Sequence, residues 1–171
     1  MQFLNYLNIE ILPPILLCFY KSKLGVYQLQ TGTLYFDLSI IIMTRINVVP
    51  PTELVNKHCM AEYREAPRII TETLKRIKKG IRPGDLTQPD DYTLGKGHVL
   101  FFLTRIGWIV DRIVQLHDEL KHRGFNLNEK MYNEILSNAN TVPYEWCDWY
   151  EPTDKALSLN RHRIAERLSS S

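Results

Sequence analysis

The sequence predicts an all-α fold, and three observations carry that expectation. Apolar residues recur at helical spacing over long stretches. Glycines and prolines fall where those stretches begin and stop, and no segment shows the period-2 alternation of a half-buried strand. With 171 residues the chain is the size of one domain and can bury a real core. Its 44% apolar and 23% charged residues are ordinary for a globular protein. A formal net charge of +2 is too small to select a partner by itself. Cys18, Cys59 and Cys147 are odd in number and far apart, and the five histidines form no HExxH pattern. Neither a disulfide framework nor a zinc site is indicated. That cysteine usage suits a reducing, cytoplasmic compartment.

Residues 1–42 differ from the rest. Glu10 and Asp37 balance Lys21 and Lys23, so the segment adds no net charge. Its apolar run Ile11 to Tyr20 is broken by Pro13-Pro14 and falls short of the ~20 residues a spanning helix needs. The lysines follow that run, whereas a secretory signal places them before it. Three readings stay open: a leader translated from a start placed too far upstream, a removable extension, or a peripheral membrane anchor. The first is favoured, which leaves residues 43–171 as the domain.

From Thr52, an N-cap candidate after Pro50-Pro51, Leu54, Val55, Cys59 and Met60 recur near helical spacing. Pro67 should kink this helix, because it removes one backbone donor. The pattern resumes at Ile69, Ile70, Leu74 and Ile77 and stops at Gly80. Residues 81–93, rich in Pro, Gly and Asp, read as a loop. Gly97 to Arg123 gives the widest apolar stripe and ends at Gly124. A short helix over 128–137 follows, then a loop over 138–151 with Trp146, Trp149 and Tyr150 turned to the core. The last helix spans about 153–168, with Leu157, Ile164 and Leu168 inward and Arg161, Arg163 and Arg167 toward solvent.

The chemistry concentrates in Met43 to Arg68, MTRINVVPPTELVNKHCMAEYREAPR. On residue type alone Thr44 is an ordinary threonine in an extended lead-in. Were it N-terminal, its α-amine, with a reference pKa of about 7.7–8.0, would be a nucleophile at neutral pH. Glu65 is a candidate carboxylate for stabilising positive charge on a sugar ring and for proton transfer. Arg64 and Arg68, four apart, share a helix face suited to phosphates; the alternative is a solvated Glu/Arg face. Arg45 has the same two readings. Basic residues also cluster at Lys75–Lys79, Lys121–Arg123 and Arg161–Arg167, which favours a phosphate-binding surface, although helix dipoles also draw cations to helix C-termini. Leu94-Gly95-Lys96-Gly97-His98 lacks the spacing of a nucleotide loop and reads as a tight start to a helix.

The opening Met-Thr-Arg-Ile-Asn, Met-Ala-Glu-Tyr-Arg-Glu at 60–65 and Pro67-Arg68 resemble the pyrimidine-dimer DNA glycosylases, the family of phage T4 endonuclease V. Leu94-Gly95, Gly97-His98-Val99, Phe101-Phe102, Arg123-Gly124-Phe125-Asn126 and then Tyr150, Pro152, Arg163 and Arg167 continue the resemblance in order, covering most of 43–168. The resemblance implies a compact domain of three main helices without cofactor or metal, acting as a monomer on UV-damaged double-stranded DNA. It implies glycosidic cleavage at the 5′ side of a pyrimidine dimer, then lyase cleavage of the abasic site. Thr44 would supply the amine and Glu65 the essential carboxylate. Arg45, Arg64, Arg68, Arg163 and Arg167 would contact DNA, with His58 near the same site. Family members flip out a nucleotide opposite the lesion, which is easiest where pairing is already damaged.

Two departures follow from the sequence. An upstream extension blocks the amine of Thr44, and the chain ends Leu168-Ser169-Ser170-Ser171 where the phage enzyme has an aromatic-rich tail. A non-catalytic DNA-binding protein on the same scaffold, or a membrane-associated protein anchored by residues 1–42, are the competing readings.

Overall fold

The computed structural model describes residues 46–95 and 97–169. The extension over 1–42, together with Cys18, Thr44 and Arg45, lies outside the described residues. Helices make up the described chain: α1 (Asn56–Glu65), α2 (Pro67–Lys78), the five-residue α3 (His98–Phe102), α4 (Ile106–His122), α5 (Glu129–Ala139) and α6 (Asp154–Ser169). Three-residue 3-10 turns at Pro51–Glu53, Pro83–Asp85 and Tyr144–Trp146 punctuate the connections. No strand occurs among the described residues, so the all-α expectation holds.

Helix α4 is the axis of the core. Ile106, Ile109, Ile113, Leu116 and Leu120 are fully buried along one of its faces, and α1, α2 and α5 pack around it. Tyr63, Ile69, Ile70, Phe101, Phe102 and Trp146 close the core from the other elements. Each such side chain contributes about 1.5–3 kcal/mol on leaving water. Trp149 and Tyr150 pack against this core part-buried, as their composition suggested. Leu168 does not: it is exposed, because α6 turns the solvent side of its last turn outward there.

Several boundaries differ from the sequence reading, and each has a local cause. Thr52 lies inside the 3-10 turn and caps nothing; the residue before α1 is Val55, with no side-chain cap. At Pro67 the helical segment divides into α1 and α2. Ala66 keeps helical dihedrals and donates to the Glu62 carbonyl at 2.8 Å, while Pro67, lacking a donor, takes the first position of α2. The expected Gly97–Arg123 helix is interrupted at 103–105. There the Leu103 carbonyl accepts from Thr73 Oγ1 at 3.0 Å and the Thr104 carbonyl from the Asp148 amide at 2.8 Å, so neither serves the helix ladder. The far end stops as the sequence indicated. Gly124, at φ +84°, lets Phe125 donate back to Leu120 at 3.0 Å and itself donates to Lys121 at 2.9 Å, the paired closure a left-handed residue permits.

Residues 46–49, the lead-in to the first turn, are all buried yet belong to no helix. Each of their backbone amides is taken by a side chain. Ile46 donates to His98 Nε2 at 3.2 Å, Asn47 to Glu62 Oε1 at 3.0 Å, and Val48 and Val49 to Asn160 Oδ1 at 2.8 and 3.3 Å. Tyr92 donates its hydroxyl to the Ile46 carbonyl at 3.1 Å, and Arg112 donates to that of Val49 at 2.7 Å. Buried backbone groups need such partners, and here distant helices supply them.

Glu62 and Arg112 form the centre of this arrangement. Arg112 donates to both Glu62 oxygens, at 2.8 and 3.1 Å, and Asn47 Nδ2 donates to one of them at 2.6 Å. Glu62 is 0% and Arg112 2% exposed. A buried charge stripped of its partner is costly, so Arg112→Ala should destabilise the domain by about 3–5 kcal/mol in urea unfolding. A loss under about 1 kcal/mol would mean that Glu62 does not depend on this pairing.

Candidate active site

Glu65 ends α1, one turn beyond Glu62, so the two carboxylates are neighbours on the helix and do different things. Glu62 is sealed in the core. Glu65 has a side chain 25% exposed, and its Oε2 accepts from Arg68 Nη1 at 3.0 Å. Arg68 is itself largely in solvent, so the pair is a surface one worth about 0.2–1 kcal/mol. A phosphate can draw Arg68 away at little cost. Arg64 is exposed on the last turn of α1. Arg64 and Arg68 lie on either side of the α1–α2 junction, where Ala66 keeps helical dihedrals, and both are exposed. His58, part-buried in the first turn of α1, lies two turns before Glu65, roughly 10 Å along the axis.

The clamp on residues 46–49 sets where the chain emerges relative to Glu65. Asn47 is bonded to Glu62, a single turn from Glu65 on the same helix. Helix α6 runs beside this lead-in and reaches it twice. Asn160 holds Val48 and Val49 and donates to Asn47 Oδ1 at 2.9 Å. Two turns further on, the Arg167 guanidinium is close enough to disfavour charge on His98 and to favour it on Tyr92. Arg167 is thus brought to the Ile46 end of the lead-in, and Arg163 lies one turn before it, donating to Glu166 at 3.0 Å. Both arginines are part-buried rather than fully in solvent.

A hydrogen-bonded hub fixes the start of α6. Asp91 accepts from the hydroxyls of Tyr150 at 2.9 Å and Thr153 at 3.1 Å. Burial opposes the charge on Asp91, but the Tyr92 amide and these hydroxyls outweigh it and hold the carboxyl below its ordinary range. Burial, then the hydrogen bond to Asp91 and its charge, push the Tyr150 phenol up to about 12. Thr153 in turn accepts the Ala156 amide at 3.1 Å, capping α6.

The basic clusters are less available than the sequence implies. Arg76 is paired with Glu72 and lies 11% exposed. Lys121 donates to Glu129 at 2.8 Å. Arg123 binds Glu119, Asn56 and the carbonyls of Leu54 and Pro51, so it fastens the first 3-10 turn to α4. Arg161 makes a two-pronged pair with Glu53, both contacts at 2.8 Å. Among the described residues, Arg64 and Arg68 flank Glu65, and Arg167 lies toward the Ile46 end with Arg163 one turn before it.

The sequence reading did not single out Asn47, Glu62, Tyr92, Arg112 or Asn160. Arg112 carries one legible signal: it interrupts the apolar face of α4 between Ile109 and Ile113, where a charge requires a buried partner. Among the described residues no three or more His, Cys, Asp or Glu side chains gather as a metal site, and no helix is long and apolar enough to cross a membrane. The profile of a protein family described as pyrimidine dimer DNA glycosylase matches residues 43–133, from just before the clamped lead-in to the middle of α5.

Proposed function

Because the chain belongs to the pyrimidine dimer DNA glycosylase family, we propose that it is a bifunctional glycosylase/lyase whose nucleophile is the α-amine of Thr44 and whose essential carboxylate is Glu65. The observation carrying this reading is the clamp. Three residues join the Thr44 nitrogen to the Asn47 nitrogen, a span of at most about 11 Å. Asn47 is bound to Glu62, one helical turn from Glu65. An N-terminal threonine would therefore be tethered close to a carboxylate, with Arg64, Arg68 and Arg167 nearby for phosphates.

In the proposed reaction the neutral amine attacks C1′ of the 5′ nucleotide of the dimer. The N–C1′ bond forms as the glycosidic bond breaks, and its electron pair leaves with the pyrimidine. Loss of a proton from nitrogen and opening of the sugar ring give an imine. That imine acidifies the C2′ proton; its removal expels the 3′ phosphate by β-elimination, and water then releases the enzyme. Glu65 would stabilise the developing positive charge on the sugar and carry protons between these steps. An α-amine suits this role because about half of it is already neutral near pH 7.7–8.0.

Borohydride reduction of the imine tests the reading. A protein beginning at Thr44 should give a covalent adduct with a thymine-dimer duplex and with an abasic duplex, and none with undamaged DNA. An adduct on the abasic duplex alone would limit the protein to lyase chemistry. No adduct on either would remove the enzymatic reading and leave a DNA-binding scaffold.

Binding to DNA has its own check. If Arg163 and Arg167 each contact a phosphate, replacing both by Ala should lower the slope of log affinity against log salt by about 2. An unchanged slope would take α6 off the DNA surface.

A further inference from the structure

His98 is 7% exposed and belongs to no predicted catalytic group, yet its ring joins the loop before α3 to the first described residue of the lead-in. Its Nδ1 lies 2.7 Å from the Thr93 carbonyl oxygen, which only accepts, so Nδ1 carries the proton. Nε2 is then a bare acceptor, and the Ile46 amide donates to it at 3.2 Å. Both partners thus require the neutral ring with its proton on Nδ1. Gly97 helps place it: at φ +103° it turns the chain into α3, and a Cβ there would meet Pro89 Cγ at 3.1 Å. Tyr92 and Phe102 set their ring edges against the imidazole, with centroids 5.4 and 5.3 Å away.

We propose that His98 is a positioning residue for the reaction: its neutral Nε2 holds the Ile46 amide, and thereby the short link back to the Thr44 nitrogen, and its protonation releases that link. This rests on the glycosylase/lyase reading above and adds a residue that touches neither DNA nor the amine. With both ring nitrogens protonated, Nε2–H would oppose the Ile46 N–H, leaving that residue held by the Tyr92 bond to its carbonyl and by its buried side chain. Among the described residues, the charged and titratable groups around the ring are Glu62 of α1, Arg167 of α6 and the Tyr92 phenol. Burial pushes the imidazole below its ordinary range; the Thr93 carbonyl and Glu62 act the other way, and Arg167 adds to the depression. Stability conferred by the neutral ring is therefore present above about pH 6.5 and is lost as pH falls through the lower folded value.

Two titrations test this. In the full chain, the His98 ring nitrogens and the Ile46 amide, followed by NMR, should move together at one midpoint below pH 6.5. In a protein beginning at Thr44, the single-turnover rate of borohydride trapping on abasic DNA should fall tenfold per pH unit as the amine protonates. Below the His98 midpoint it should steepen toward a hundredfold per unit. His98→Gln keeps an acceptor where Nε2 stood but cannot protonate, so its profile should stay at tenfold per unit down to pH 4.5. His98→Asn keeps the Thr93 contact but cannot reach Ile46, so trapping should drop by about 10- to 100-fold at every pH. Thermal melts at each pH identify any variant that has unfolded. An Ile46 amide indifferent to His98, or identical profiles for wild type and His98→Gln, would overturn the proposal. Absence of adduct from every protein at every pH would instead defeat the glycosylase/lyase reading itself.

Discussion

A chain that keeps residues 1–43 should form no borohydride adduct with dimer-containing DNA, whereas the same chain opened between Met43 and Thr44 should form one readily. The difference is chemical rather than structural. In the uncleaved chain the Thr44 nitrogen is an amide, its lone pair delocalised into the carbonyl, and it cannot become the nitrogen of an imine. Among the described residues the buried cluster around α4 runs from Ile46 to Ala156, and opening the chain ahead of Thr44 removes none of these side chains. The two proteins should bind undamaged duplex with comparable, salt-sensitive affinity and differ in covalent trapping. Chemical blocking of the new amine should return the opened protein to the behaviour of the full chain. Robust adduct formation by a verified uncleaved chain would refute the nucleophile assignment, and a lysine would then have to be sought by mapping the adduct.

The elements legible in the sequence are those fixed by local chemistry. Gly80 and Gly124 mark where α2 and α4 end, Asn128 caps α5 by accepting the Met131 amide at 3.0 Å, and the apolar stripe of α4 faces the core. The interruption at 103–105 was not legible, because Thr73 and Asp148, far away in sequence, take the carbonyls that would have continued the helix. The clamp was hidden for the same reason. Asn47 meets Glu62 across 15 positions, Glu62 meets Arg112 across 50, and Asn160 reaches Asn47 across 113. A buried Asn, Glu or Arg looks like a surface residue until its partner is known. Glu65 and Arg68 stood out because they lie side by side in a recognisable run, and the structure places them together. Thr44 and Arg45 rest on the sequence alone.

Glu65→Gln should cut trapping on the dimer duplex by about 10²–10⁴-fold while leaving the fold intact. The amide keeps the shape and one hydrogen-bond acceptor but removes the negative charge and the capacity to move a proton. What it gives up structurally is one exposed contact with Arg68, a loss of about 0.2–1 kcal/mol. Glu62→Gln, three residues earlier, supplies the contrast. That carboxylate is fully buried and bonded to Arg112 and Asn47, so the same chemical change should lower the unfolding midpoint markedly. Two substitutions of one kind, one helical turn apart, should therefore separate: one loses turnover with its melting curve unchanged, the other loses stability first. If Glu65→Gln left trapping on the dimer within a fewfold of wild type, the essential carboxylate would lie elsewhere. If both variants lost stability equally, the division of labour along α1 would be wrong.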